Sequence, residues 1–408
     1  MEFKMLNGLM IVKLSMIQTV ALAIIVYYFG IAIRKRIPFL IKHSIPAPVV
    51  GGLLFASLST FLRTQGIVGF ELDSIMQNNL MIMFFTTIGM GASVLLIKHG
   101  GLPLVIFFGL ACMLAVFQNA IGILLAESTG IHPLFGIIAG AVTLMGGLGT
   151  GGAFGPLFES WGLSGATTAA VAAATFGMVA GSLMGGPFGE KLIKHYRIKT
   201  PASQGVTYAM ADVTFQEEET KVTGASLMST LAFVLTAMGL GAIVSYYFTQ
   251  QGATLPPYIG AMLVAALIRN IGDLSKQFSI DTNALEVISD ISLGVYLTMA
   301  INGLKLWELL NLAGPLLVIL IGQCVLMILF CWLCVYLIMG RDYEAMMLSV
   351  GMVGFGMGAT PNALANMQVI SRKYGPAPKA YLIVPLVGAF LVDFVNALII
   401  TGMSSLYR

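Results

Sequence analysis

Charge is what this sequence has least of. Only 10% of its 408 residues are Asp, Glu, Lys or Arg and 58% are hydrophobic, against about a quarter charged in an ordinary soluble domain. The mean hydropathy is +0.92, so water is not the main solvent of this chain. The formal net charge of +3 comes without a long basic cluster or a basic face interleaved with aromatics, which excludes a nucleic-acid partner. Histidine is scarce: His43 and His195 fall in polar segments and His99 and His132 at the edges of apolar ones, so no proton relay is expected from them. Cys112, Cys324, Cys331 and Cys334 all lie inside apolar runs, where cysteine behaves as a small hydrophobe. Cys331-x-x-Cys334 has no second pair or histidine nearby to complete a metal or redox site.

What is present is a series of apolar blocks of roughly 20 residues, the length a helix needs to cross about 30 Å of hydrocarbon, and not the ten-residue alternating segments of an outer-membrane barrel. Ten spans are expected, at 14–33, 45–62, 78–97, 102–126, 165–188, 225–248, 255–270, 284–304, 312–339 and 380–403. The first is too long for a cleavable signal peptide and runs into Arg34, Lys35 and Arg36. Two further apolar stretches, 132–162 and 342–372, are broken by glycine clusters and read as re-entrant hairpins. With the N-terminus outside, 16 of the 21 Lys and Arg residues fall on the cytoplasmic side and five outside, as the positive-inside bias demands. Both termini are then external. The polar stretch 190–222, with Glu217, Glu218 and Glu219, reads as a cytoplasmic linker between a first unit, 1–189, and a second, 223–408.

The two units resemble each other. Pro48-Val-Val-Gly51 matches Pro257-Tyr-Ile-Gly260, Thr86 and Gly91 match Thr298 and Gly303, Pro103 matches Pro315, and Gly147-Leu-Gly149 matches Gly356-Met-Gly358, all 209 to 212 residues apart. Five spans per unit is an odd number, so the second repeat must sit upside down. Inverted repeats with broken segments near the midplane are a common plan of secondary carriers. The expected fold is therefore an all-α polytopic membrane protein of two inverted five-helix repeats, each with a re-entrant hairpin.

The first hairpin tip, Gly146-Gly147-Leu148-Gly149-Thr150-Gly151-Gly152, is no Walker A loop, because no Lys-Ser/Thr pair follows its glycines. Close helix packing would explain one or two of these glycines, so an unwound backbone is expected instead, tolerated only where it lines a cavity or is buried in protein. Its N–H groups and carbonyls suit carboxylates and sodium. The second tip runs from Gly354 through Gly356, Gly358 and Thr360-Pro361 to Asn362, with Asn366 and Gln368 continuing a polar helical face. Gln118 and Asn119 interrupt the fourth span, and Thr86 and Thr87 in the third are echoed by Thr298 and Asn302 in the eighth. Asp393, with Asn396 three residues on, is the costliest residue to place in hydrocarbon.

From Ile45 to Ile400 the chain resembles the bacterial sodium/glutamate symporter family. The likeness rests on Pro46-Ala-Pro48-Val-Val-Gly51-Gly52, Gln118-Asn119, the first tip, Ala174-Thr175-Phe176-Gly177, Gly185-Gly186-Pro187, Leu306-Trp307-Glu308-Leu309, Gly358-Ala-Thr360-Pro361-Asn362 through Met367, and Gly388 through Ala397. At Leu148 the chain departs from the histidine of typical members. The resemblance implies a homodimer in the bacterial inner membrane, surrounded by lipid, that takes up glutamate or a related small carboxylate with Na+ and is not an enzyme. Combined with the polar positions, it gives a substrate set of Gly147, Gly149, Thr150, Gly151, Gly356, Gly358, Thr360, Asn362, Asn366, Gln118 and Asn119, and a sodium set of Asp393, Asn396, Thr86 and Thr298. An intramembrane aspartyl protease would need two carboxylates sharing a proton, and only Asp393 is deep. A channel is disfavoured because no selectivity-filter motif recurs.

Overall fold

The computed structural model of the chain describes residues 2–6, 9–201, 222–250, 257–306 and 312–408. Most of the expected linker, with Glu217 to Glu219, and Trp307-Glu308-Leu309 lie outside the described residues.

Three short strands open the structure, and hydropathy windows give no hint of them. β1 (Glu2–Leu6) pairs antiparallel with β2 (Leu9–Lys13), which pairs in parallel with β3 (Val68–Glu71). A cue was present in the sequence, since Asn7-Gly8 separates two short apolar runs and Asn-Gly is the strongest short-range hairpin signal. The sheet gathers the start of α1 (Met16–Arg36) and the end of α3 (Ala47–Thr64) at one end of the bundle, the short α2 (Pro38–Lys42) joining them at the other.

The chain continues through α4 (Ile75–Gly91), α5 (Val94–Ser128) and α6 (Pro133–Ile137), which runs on through a π-helical turn to Val142; α7 (Gly147–Ser160) and α8 (Ala166–Tyr196) follow. The second half comprises α9 (Gly224–Gln250), α10 (Pro257–Ser275), α11 (Thr282–Asn302), α12 (Ala313–Phe330) with a π-helical extension to Tyr336, α13 (Tyr343–Phe355), α14 (Thr360–Tyr374), α15 (Pro378–Leu386) and α16 (Val392–Ser404). Among the described residues, eight helices are long and apolar enough to cross a membrane: α1, α3, α5 from Gly101, α8, α9, α10, α11 and α12 with its extension. The chain is a multi-pass, all-helical membrane protein apart from the small sheet.

Two of the ten expected spans take a different form. The third does not reach residue 97; α4 stops at Gly91 and α5 starts at Val94. Polar side chains of α10 take over the hydrogen bonds that a continuous helix would have made. Asn270 accepts from the Val94 N–H at 2.8 Å and donates to the Ala92 carbonyl at 2.9 Å, while the Ser93 hydroxyl donates to Asp273 at 2.5 Å. The tenth is not one helix, because α15 contains Pro385 and gives way to a π-helical turn from Val387 to Leu391 before α16. Proline lacks the N–H that a regular turn needs, and π turns absorb such interruptions.

Glycines set the closest crossings. A Cβ on Gly30 of α1 would come within 2.2 Å of the Ala47 carbonyl oxygen of α3, and one on Gly241 of α9 within 2.2 Å of the Ala261 Cα of α10. Only glycine permits backbones so close, which is how small residues hold membrane helices together. The largest apolar core joins α5, α12 and both broken segments, with Phe107, Phe154 and Phe355 fully buried.

Candidate functional site where two broken helices meet

The first broken segment bends at Gly140, whose φ of −101° and ψ of −131° leave helical geometry. The bend frees the N–H of the next residue, and two distant side chains bond that residue, whose carbonyl also accepts the Gly146 N–H at 3.0 Å. The Ala141 N–H donates to Asn119 Oδ1 of α5 at 2.9 Å, and Asn396 of α16 donates to the Ala141 carbonyl at 2.9 Å. Residues 143–146 then turn, and Gly147, at φ +64°, begins α7.

From Gly147 on, the tip glycines lie within α7 and are not unwound, which corrects the expectation from sequence. The interruption lies just before them, and Gly147, Gly149, Thr150, Gly151 and Gly152 form the first turns of α7. Close packing requires glycine at Gly146, Gly147 and Gly149 and leaves little room at Gly151 and Gly152. A Cβ would lie 2.4 Å from Thr150 Oγ1 at Gly146, 2.7 Å from the Gly358 carbonyl oxygen at Gly147 and 2.9 Å from Phe84 at Gly149. At Gly151 it would lie 3.2 Å from Thr143, and at Gly152 3.1 Å from Tyr296. The bulky neighbours of Gly149 and Gly152 come from α4 and α11, far away in sequence.

The second segment breaks after α13. Residues 356–358 turn, Gly358 adopts φ +135°, and α14 begins at Thr360 with Pro361 in its first turn, where proline's missing N–H costs nothing. The Thr360 hydroxyl donates to the Gly388 carbonyl at 2.9 Å. Asn362 and Asn366 donate to the carbonyls of Met178 and Gly181 on α8 at 2.8 and 2.9 Å, so their amides bind α14 to α8. Beyond them, Lys373 meets Glu190 at 2.8 Å.

The Gly147–Gly358 contact puts the N-termini of α7 and α14 side by side. Each helix start carries unsatisfied N–H groups and about half a positive charge, so two together favour an anion. Around them lie buried amide oxygens without a hydrogen-bond donor among the described residues. Gln118 donates to the Gly356 carbonyl at 2.8 Å, but its Oε1 has no partner; the same holds for Oδ1 of Asn362 and Asn396. Leaving a buried acceptor unpaired costs about 1–3 kcal/mol, and uncharged oxygens of this kind are ligands for hard cations.

Two residues missed in the sequence join this group. Gln323 of α12 donates to the Gln118 carbonyl at 2.6 Å and keeps its own Oε1 unpaired. A lone amide in the apolar run 312–339 was the available signal. Tyr296 of α11 donates from its hydroxyl to the Gly149 carbonyl, and nothing in the sequence singled it out. Gln118, Asn119, Asn396 and both tips thus form one network.

Among the described residues, no hydrogen bond joins members of the sodium set to one another. Thr86 and Thr298 spend their hydroxyls on Ile82 and Gly294 of their own helices, each at 2.7 Å. Among the described residues, Asp393 makes no hydrogen bond or ion pair. Leu148 packs into an apolar cluster with Val49, Val171, Met178 and Leu297.

A sequence profile of the family described as sodium/glutamate symporter matches residues 12–376. The sodium/glutamate symporter of Haemophilus influenzae is 38% identical over 386 residues, covering 94% of this chain and 95% of the relative. That of Escherichia coli (strain K12) is 38% identical over 394 residues, covering 95% and 96%.

Proposed function

This chain belongs to the sodium/glutamate symporter family, and from that premise we propose a carrier that moves glutamate with sodium across the bacterial inner membrane through the site between the two broken helices. It is a symporter and not an enzyme. The observation that carries the site is the meeting of two helix N-termini at Gly147 and Gly358, ringed by unpaired amide oxygens. Substrate carboxylates bind the N–H groups of the α7 and α14 starts with Thr150 and Thr360. Sodium takes the oxygens of Gln118, Asn362 and Asn396, with Asp393 supplying the charge.

The carrier consists of two inverted repeats, residues 1–189 and 223–408, joined by a cytoplasmic linker, with 132–162 and 342–372 re-entering from opposite sides. Several structural regularities support this. Ala47 and Pro257, Ile75 and Thr282, Pro133 and Tyr343, and Ala166 and Pro378 begin corresponding helices 207 to 212 residues apart. Packing pairs exchange with the halves: α1 lies on α3 as α9 lies on α10, and α3 on α11 as α10 on α4. The tight glycines recur as well, Gly30 with Gly241 and Gly51 with Gly260. In the membrane both termini face outward and the protein forms a homodimer.

Uptake of labelled glutamate, aspartate and 2-hydroxycarboxylates by proteoliposomes, with an inward sodium gradient or with choline, tests this. Saturable, sodium-dependent uptake led by glutamate is expected. Sodium-dependent uptake led by a 2-hydroxycarboxylate would transfer the site to another carboxylate, a reading that Leu148 in place of the family's histidine would then explain. Uptake indifferent to sodium would sink the symport mechanism.

A further inference from the structure

The small sheet at the start of the chain is amphipathic. By strand register, Phe3, Met5, Met10, Val12, Val68 and Phe70 share one face, while the charged positions Glu2, Lys4, Lys13 and Glu71 all take the alternate register. Lys13 and Glu71 pair at 3.5 Å. Only part of the apolar face is covered. At its inner side the Phe70 ring lies 5.7 Å from that of Phe55 on α3, and Val12 is 4% exposed. Toward the β1 edge, Met10 is 41%, Phe3 65% and Met5 69% exposed. Single exposed apolar side chains need no explanation, but a cluster confined to one face marks a contact surface.

The surroundings show what that contact is. Phe55 lies about 14 Å before the end of α3 at 1.5 Å per residue, so the face that touches it is turned toward the embedded part of the bundle. α1 starts at Met16, shortly after β2, and extends about 32 Å, close to the hydrocarbon thickness of about 30 Å. The sheet therefore sits at the boundary between hydrocarbon and headgroups. Ile17, 75% exposed in the first turn of α1, continues the uncovered apolar surface into the spanning region. Residues 2–11 precede the stretch that the family profile matches, so nothing in that match assigns them a role.

We propose that the β1–β2 hairpin is an interfacial membrane anchor. Phe3, Met5 and Met10 insert among the lipid chains just below the headgroups, and the Lys13–Glu71 pair stays in water. Apolar faces of amphipathic segments at this boundary lie about 5–10 Å into it. The anchor fixes the ends of α1 and α3 that the sheet gathers, whichever carboxylate is carried.

Tryptophan fluorescence tests this in the full chain, with Trp161, Trp307 and Trp332 replaced by Phe and one of Phe3→Trp, Met5→Trp or Glu71→Trp added. Each protein is reconstituted in phosphatidylcholine brominated near the headgroup end of its chains, brominated deep in the chains, or unbrominated, with iodide on both sides as the aqueous quencher. Phe3→Trp and Met5→Trp should lose at least half their emission to the shallow bromolipid, less to the deep one, and resist iodide. Glu71→Trp should show the reverse, quenched by iodide and not by lipid. Two positions on the apolar face are used so that one poorly folded variant leaves the other to decide, and monodispersity in detergent checks each. Quenching of Phe3→Trp and Met5→Trp by iodide alone would put the face in water. Shielding from both quenchers would give it to protein, such as a second copy added along the β1 edge. Either result overturns the anchor.

Discussion

Ala141 illustrates how single residues sustain a helix broken inside a membrane. Its N–H, set free by the bend at Gly140, is taken by Asn119, and its carbonyl accepts from Asn396 as well as from the Gly146 N–H, so two other helices hold it. Because the Ala141 carbonyl also accepts the Gly146 N–H at 3.0 Å, Asn396→Leu should lower stability by only the net worth of one buried hydrogen bond, about 0.5–1.5 kcal/mol, and a thermal unfolding series in detergent measures it. An unchanged melting temperature would mean that the Gly146 N–H alone satisfies that carbonyl. Asp393 is the opposite case, a carboxylate with no partner among the described residues, on a helix whose centre is costly for charge by about 2.5–3.5 kcal/mol. If sodium is its partner, Asp393→Asn keeps the size and removes the charge. The sodium half-saturation of uptake should rise about tenfold and by more than that for glutamate, with the protein still monodisperse. An unaltered sodium half-saturation would remove Asp393 from the coupling site.

At the scale of elements, what could be read from sequence were the features written into contiguous residues. Apolar blocks gave the helices, and the glycine clusters marked both broken segments within a few residues. Partners distant in sequence were illegible. The break between α4 and α5 depends on Asn270 and Asp273, and the glycines of α7 on Phe84 and Tyr296. Composition alone therefore suggested an unwound tip where a packed helix start exists. Gly147 tests that correction. Gly147→Ala adds a Cβ at 2.7 Å from the Gly358 carbonyl oxygen, besides left-handed strain of about 1 kcal/mol. Gly162→Ala carries similar strain at φ +97° but meets nothing within 4 Å. Uptake should fall more than tenfold for the first and less than twofold for the second; equal losses would mean that strain, and not contact between the tips, matters. The start of α11 makes a pH-dependent prediction. Ser226 donates to the Asp281 carboxylate, which also accepts the Ala284 and Asn283 N–H groups, and these bonds hold its pKa below the ordinary value. Its contribution to stability is complete above the unfolded pKa of about 3.9 and is lost as pH falls through the lower folded value. Thermal unfolding from pH 6 to pH 3 should show a decline that Asp281→Asn flattens.

For the molecule as a whole, the proposed carrier presents the tips of its two halves to one site from opposite sides. Coupling sets the energetics. Glutamate carries about one negative charge, so one sodium makes the cycle electroneutral, while each additional charge moved gains about 2.3 kcal/mol per 100 mV. An interior-negative potassium diffusion potential should thus accelerate uptake only if two or more sodium ions accompany each glutamate, which flux under valinomycin measures. The most direct test of the central claim is the sidedness of the tips. With single cysteines at Thr150 and Thr360 in right-side-out vesicles, Thr150→Cys should react with a small reagent supplied outside and Thr360→Cys with one supplied inside, both protected by glutamate with sodium. Labelling of both positions from one side only, with no protection, would contradict it.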